Sequence, residues 1–226
     1  METKQNDELQ KEAIRKICEE RNITELVHFT HIDNLISILD KGLMTVEELE
    51  ESGVNYKKSD HQRLDGQKDA VSLSISFPNY KMFHSKSGSQ KEKWVVLSLL
   101  PKILWEFDCV FCTHNASSHK ISRYINLHKL FSKGADALER LFENYDDKER
   151  SPEIPSCYPT NPQAEVLVFG TIPSSYIQKI YFYNGDVAKR WAESLNQSQK
   201  EIARKFLDGF LINEYYFSPR EDYSNW

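Results

Sequence analysis

Residues 158–173, YPTNPQAEVLVFGTIP, carry the tightest constraint in the chain. Val166, Leu167, Val168 and Phe169 form an unbroken apolar run between Pro162 and Gly170, the pattern of a strand covered on both faces. Glu165 opens that run. A buried carboxylate costs several kcal/mol unless a partner meets it. Strand alternation puts Gln163, two residues earlier, on the same face as Glu165. Two acceptor-bearing side chains at a strand edge read either as a site or as a solvent-facing strand end.

Further strands flank this one in the sequence. The segment LVHFT (26–30) is short and β-prone, and VSLSISF (71–77) alternates apolar residues with Ser72, Ser74 and Ser76. WVVLSLL (94–100), DCVFC (108–112) and YIQKIYFY (176–183) complete the set. Helical spacing predicts an amphipathic helix over residues 6–21, with Leu9, Ala13 and Ile17 on its apolar face. Thr30 and Asp33 spell T-x-x-D, a capping-box start for a helix that buries Ile32, Leu35, Ile36 and Leu39 and stops at Gly42. Asn34 and Ser37, three apart, are neighbours on its other side. A short acidic helix is expected over 45–51, a longer one over 121–143, and two closing helices over 186–195 and 197–209. The last of these keeps Ile202, Phe206 and Phe210 in step. Residues 52–69, the connection after Pro78, and the stretch 144–162 with its four prolines read as loops. No repeat or linker divides the chain, so the expectation is one mixed α+β domain over residues 1–226.

Composition narrows the class. The chain has 226 residues, 39% hydrophobic and 28% charged, enough for a sizeable core under a charged surface. No stretch approaches the ~18 apolar residues of a membrane span, and the charged N-terminus lacks a signal-peptide core. With four cysteines in no disulfide-rich pattern, a cytoplasmic location is expected. The net charge of −5 argues against a basic coat for nucleic acid, yet its distribution is uneven. Residues 1–56 sum to −7, residues 57–93 to +4, and residues 109–135 hold four basic residues and no acid. The two basic stretches read either as solvated faces or as the walls of a groove for a phosphate backbone.

Cys109-x-x-Cys112, with His114, His119 and Cys157 nearby, lacks the second ligand pair of a zinc site, so no metal is expected. GxGxxG, P-loop, GxSxG and HExxH motifs are missing from the sequence, which removes support for dinucleotide folds, P-loop enzymes, serine hydrolases and zincins. His28 stands apart among the seven histidines. It precedes Thr30 by two residues at a helix entrance, where free N–H groups suit a phosphate- or ribose-bearing ligand. The same residues also read as a core histidine beside an ordinary cap.

Taken together, an H-x-T strand opening a helix, a Ser-alternating strand and a late strand beginning Gln-x-Glu resemble the three sheet motifs of ADP-ribosyltransferases. HFTHIDNLISILDKGL with NPQAEVLVFGTIP resembles, more narrowly, the DarT family of bacterial DNA ADP-ribosyltransferase toxins, over roughly residues 26–184. The resemblance implies a split mixed sheet with surrounding helices, and transfer of ADP-ribose from NAD+ to a base of single-stranded DNA. It also implies a cognate antitoxin that removes ADP-ribose or binds the enzyme. By the same resemblance Glu165 and Arg63 are catalytic. His28, Phe29, Thr30, Asn34 and Ser37 hold NAD+, and Ser74 and Tyr80 line the nicotinamide pocket. Tyr158 and Gln163 serve the acceptor. Residues 71–77 are poorer in aromatics than in thymine-modifying members, which points to the guanine-modifying branch. The residues alone leave open an RNA or protein acceptor, and a non-catalytic nucleic-acid-binding or zinc-stabilised module.

Overall fold

A computed structural model describes residues 2–54, 56–57, 67–115, 132–146 and 148–222. Its strands are β1 (Leu26–His31), β2 (Ala70–Ile75), β3 (Trp94–Leu99), β4 (Cys109–Cys112), β5 (Glu165–Phe169), β6 (Ile177–Phe182) and β7 (Phe210–Ile212). They form one sheet in the order β4-β5-β2-β1-β3-β6-β7, antiparallel throughout except for the parallel pair β6–β7. The mixed sheet with its helices matches the expected α+β class.

One pairing is short. β1 pairs with β3 along its whole length, Leu26↔Leu99 to His31↔Trp94, but with β2 only at Leu26↔Ile75 and Val27↔Ser74. Beyond Val27 the two strands part. The sheet is split there, between its third and fourth strands.

The larger apolar cluster gathers Leu26, Leu73, Leu97, Val166 and Val168 from the sheet. Over it lie α1 (Glu2–Glu20), α2 (Leu35–Lys41), α5 (Ile103–Glu106), α6 (Ala135–Glu139), α7 (Gly185–Ser194) and α8 (Gln197–Arg204). A second cluster on the other side joins Val27, Phe77, Phe83, Trp94, Val96 and Tyr181 to Tyr216 and Phe217 near the C-terminus. It is covered in part by α4 (Tyr80–Ser87). A further short helix, α3 (Val46–Ser52), begins with a complete capping box between Thr45 and Glu48. No helix among the described residues is long and apolar enough to cross a membrane.

Several local expectations change. α1 buries Ile14, Ile17 and Cys18, while Leu9 is 63% exposed, so its apolar face is rotated from the predicted one. Thr30 belongs to the strand. His31 does the capping instead, its ring accepting from the Asp33 amide ahead of a 3-10 turn, Ile32–Asn34, that leads into α2. Residues 80–87, expected as a connection, are helical because Asn79 caps them. A continuous helix over 121–143 is interrupted at 132–134, where Gly134 has a φ of 81°; residues 116–131 lie outside the described part. The last helix ends at Arg204, and Phe210, expected on its apolar face, sits in β7 beside β6. Partial burial in a parallel strand satisfies Phe210, which helical spacing had claimed for the helix.

Gly42 ends α2 with a φ of 90°, and Leu43 then pairs with Ile172. A Cβ on Gly42 would stand 2.4 Å from the Ile172 carbonyl oxygen, whereas one on Gly53, φ 63°, meets nothing within 4 Å. Gly42→Ala should therefore lower the thermal midpoint by about 6–12 °C and Gly53→Ala by about 2–5 °C, measured by scanning calorimetry.

Candidate active site

Where β1 and β2 part, backbone groups lose their ladder partners and must find others. The His28 ring supplies one. Its Nδ1 lies 2.9 Å from the Ser72 carbonyl oxygen, and because a carbonyl only accepts, the ring proton sits on Nδ1. The cavity in the split draws on both faces of the sheet: consecutive residues Val27, His28, Phe29 and Thr30 line it from β1, and Val71 and Ser72 from β2.

Thr30 is 3% exposed, and its Oγ1 accepts from Asn34 Nδ2 at 3.1 Å. The same Nδ2 donates to the Lys57 carbonyl at 2.9 Å, and Asn34 Oδ1 accepts the Lys57 amide at 2.7 Å. Asn34 thus copies a strand's hydrogen-bonding pattern and fastens the chain after α3 over the cavity. Both hydrogens of its amide are engaged within the protein.

Glu165 begins β5 beside Cys112 of β4 and is 4% exposed. Its Oε1 accepts from Asn115 Nδ2 at 3.1 Å and from Asn79 Nδ2 at 3.5 Å. Two carboxamides thereby offset part of the burial cost that the sequence implies. Asn79 was legible as a helix cap: an Asn after Pro78 and before an apolar-periodic segment is an N-cap signal. Asn115, in the irregular segment after β4, carries no such signal.

Seven of the expected site residues meet in the cavity wall: His28, Phe29, Thr30, Asn34, Ser37, Ser74 and Glu165. Lys57 and Lys86, both from the basic stretch 57–93, join them. From the basic stretch 109–135, Lys133 pairs instead with Asp108, away from the cavity. Tyr80 is not in the wall. It starts α4 and stacks on His84 at 5.5 Å, and its neighbours Asn79 and Met82 face the cavity instead. Gln163 is also outside the wall. It sits in the turn before β5, where strand alternation has not begun, and its amide donates to Asn161 Oδ1. Arg63 lies outside the described residues.

Tyr158 is held in the second apolar cluster. Its hydroxyl meets that of Tyr215 at 2.8 Å, its ring packs against Phe77, and the Arg220 guanidinium lies 5.4 Å from the ring centre. Burial, then the bond to Tyr215, pushes its phenol well above the ordinary range. The proline-bearing stretch before β5 is anchored over residues 155–160. Arg150 donates to the carbonyls of Tyr158 and Pro155 and to Thr160 Oγ1. Arg220, 3% exposed, donates to the carbonyls of Pro159 and Thr160 and pairs with Asp222.

Cys109 and Cys112 divide between clusters on opposite faces of the sheet and cannot converge on one ion. Burial pushes the Cys109 thiol up to about 12.

Asn34→Leu removes the clamp on Lys57, and amide exchange at Lys57 should accelerate about 10- to 100-fold by hydrogen-exchange mass spectrometry. Arg220→Ala takes the donor from the buried carbonyls of Pro159 and Thr160, and should cost about 2–4 kcal/mol in chemical denaturation.

Comparisons with known proteins give one coherent answer. A family model described as "ssDNA thymidine ADP-ribosyltransferase, DarT" matches residues 27–216. Among solved structures, Thermosipho africanus DarTG in complex with ADP-ribose is 22% identical with a TM-score of 0.51. That likeness covers 78% of this chain and 48% of the other, so this chain spans about half its length. Thermus sp. 2.9 DarT in complex with NAD+ is 19% identical with a TM-score of 0.50, over 86% of this chain and 97% of that one. The same Thermus protein in complex with ADP-ribosylated ssDNA is 19% identical with a TM-score of 0.53, over 86% and 96%. No curated protein matches. At these identities the solved structures speak for the fold, and the family match over residues 27–216 speaks for descent: the chain belongs to the DarT family.

Proposed function

We propose that this chain is an NAD+-dependent mono-ADP-ribosyltransferase that modifies a nucleobase of single-stranded DNA. The observation that carries the reading is Glu165, a carboxylate 4% exposed at the wall of a cavity in the sheet's split, in a chain of the DarT family. The reading draws further support from the Thermus DarT seen with NAD+ and with ADP-ribosylated ssDNA, whose fold this chain shares.

The chemistry asks little of the protein beyond placement and charge. The bond between the nicotinamide nitrogen and ribose C1′ breaks, and its electron pair neutralises the pyridinium. The base then forms a new bond to C1′ and gives up a proton. Positive charge grows on the ribose between these events, and Glu165 stabilises it more in the transition state than in the ground state. The same carboxylate is suited to take the proton from the base.

The cavity wall suits the co-substrate. His28, Thr30 and Phe29 offer polar and aromatic contacts for the ribose and nicotinamide. Lys57 and Lys86 supply cations for the pyrophosphate, and Arg63 is proposed as the second catalytic residue, gripping the pyrophosphate and orienting the base. Asn34 acts through Lys57, with Ser37 beside it on the wall. Tyr158 and Gln163 we assign to supporting the acceptor-side loop rather than to the cavity. For the acceptor base we propose guanine, supported by the small hydroxyl side chains Ser72 and Ser74 in the wall. A cognate antitoxin is proposed as partner, in keeping with the DarTG neighbour.

Incubated with NAD+, the enzyme should add the mass of one ADP-ribose to a single-stranded oligonucleotide, and Glu165→Ala should slow this by about 10²–10⁴-fold. An unimpaired Glu165→Ala enzyme overturns the reading. Mass spectrometry of nucleosides from a randomised oligonucleotide should show modified deoxyguanosine; a thymidine adduct would overturn the choice of base alone.

A further inference from the structure

We infer that Asn79 is a positioning residue for Glu165, coupling the start of α4 to the orientation of the carboxylate; this rests on the catalytic role proposed above for Glu165. Asn79 is 1% exposed, and three of its polar groups are committed. Its backbone amide donates to Ser74 Oγ at 3.3 Å. Its side-chain Oδ1 accepts the Met82 amide at 3.2 Å as the cap of α4. Its Nδ2 faces Glu165 Oε1 at 3.5 Å.

The order of these contacts matters. A carboxamide has one acceptor end and one donor end, and the cap fixes which is which. With Oδ1 held by Met82, Nδ2 has to point back toward β5. Rotating the amide would place an oxygen against the Glu165 carboxylate and lose the cap together. Asn79 therefore delivers a donor to Oε1 at no further conformational cost, because the helix has already ordered the side chain.

Asn115 reaches the same Oε1 at 3.1 Å. Two donors on a single oxygen set the rotation of the carboxylate about its terminal bond, which is otherwise soft. Ser74 is drawn into this arrangement as the acceptor that seats the Asn79 backbone, which links the hydroxyl face of β2 to the carboxylate of β5.

The substitutions that test this separate capping from donation. Serine and aspartate cap helices about as well as asparagine, so Asn79→Ser should keep the thermal midpoint near that of the wild type, while Asn79→Asp keeps the cap but lowers the midpoint by burying a second carboxylate. Neither presents a donor amide to Glu165. Asn79→Ser should lower kcat for oligonucleotide modification by about 10- to 100-fold, the worth of a hydrogen bond to a charged group, with the KM for NAD+ changed by less than about threefold. Asn79→Asp sets a second carboxylate beside Glu165 and should move the acid limb of the kcat–pH profile to higher pH. A residue that only caps α4 would leave the kcat of Asn79→Ser in place, whereas a carboxylate introduced beside Oε1 moves the acid limb of Asn79→Asp whatever the amide does. Wild-type kcat in folded Asn79→Ser overturns the inference. Glu165→Ala run alongside keeps the two ideas distinct. If it abolishes turnover while Asn79→Ser behaves as wild type, only the positioning role fails; if it leaves turnover intact, the assignment of Glu165 fails first.

Discussion

The structure depends on an incomplete strand pair. β1 is satisfied on one side by β3 over its full length and on the other by β2 for only two residues. A sheet that pairs everywhere has no interior, since adjacent strands stand under 5 Å apart. Parting β1 from β2 creates room for a ligand inside the sheet and exposes backbone groups that must be satisfied by other means. The His28 ring on the Ser72 carbonyl meets one such need, and the Asn34 carboxamide on the Lys57 backbone extends the same logic to the rim. Side chains act here as substitutes for missing ladder bonds.

The second demand is electrostatic. A carboxylate placed where β5 emerges is nearly withdrawn from water, so it needs donors, and in the role proposed for it too many strong partners would blunt its pull on a developing cation. Neutral carboxamides from Asn79 and Asn115 strike that balance, donating without contributing formal charge. The stretch leading into β5 is stiffened by Arg150 and Arg220, which donate to its carbonyls, and by Tyr158 locked among Phe77, Tyr215 and Arg220. A long loop thus becomes an ordered approach to the site. Its prolines are compatible with this, because proline carbonyls still accept hydrogen bonds while the ring restricts the backbone.

Local pattern and tertiary context parted in consistent ways. Strand positions were readable wherever β-branched and aromatic residues ran together, as in β3 and β5, because such runs have few alternatives. The helix over residues 80–87 was missed although Asn79 announced it, because Pro78 and the Ser/Lys-rich residues after it resemble a turn. Leu9 was assigned to a buried face because spacing alone cannot say which of two adjacent stripes meets a neighbour. Phe210 fitted a helix by period and a strand by position. Tyr80 and Gln163 were expected at the site from their place in sequence; the structure turns Asn79 and Met82 to the cavity wall beside Tyr80, and leaves Gln163 in the turn before β5.

The sequence by itself determined the class of the protein: a buried strand headed by Glu165, an H-x-T strand before a helix, and the family these two stretches name. Those features are local, and local sterics and hydrophobic period specify them. What surrounds Glu165 was decided only by the tertiary structure. Asn79 lies 86 positions away and Asn115 lies 50 away, and they meet the carboxylate because β2, β4 and β5 are adjacent in the sheet. Which asparagine donates to which oxygen follows from strand order and helix capping, and no spacing rule along the chain encodes that.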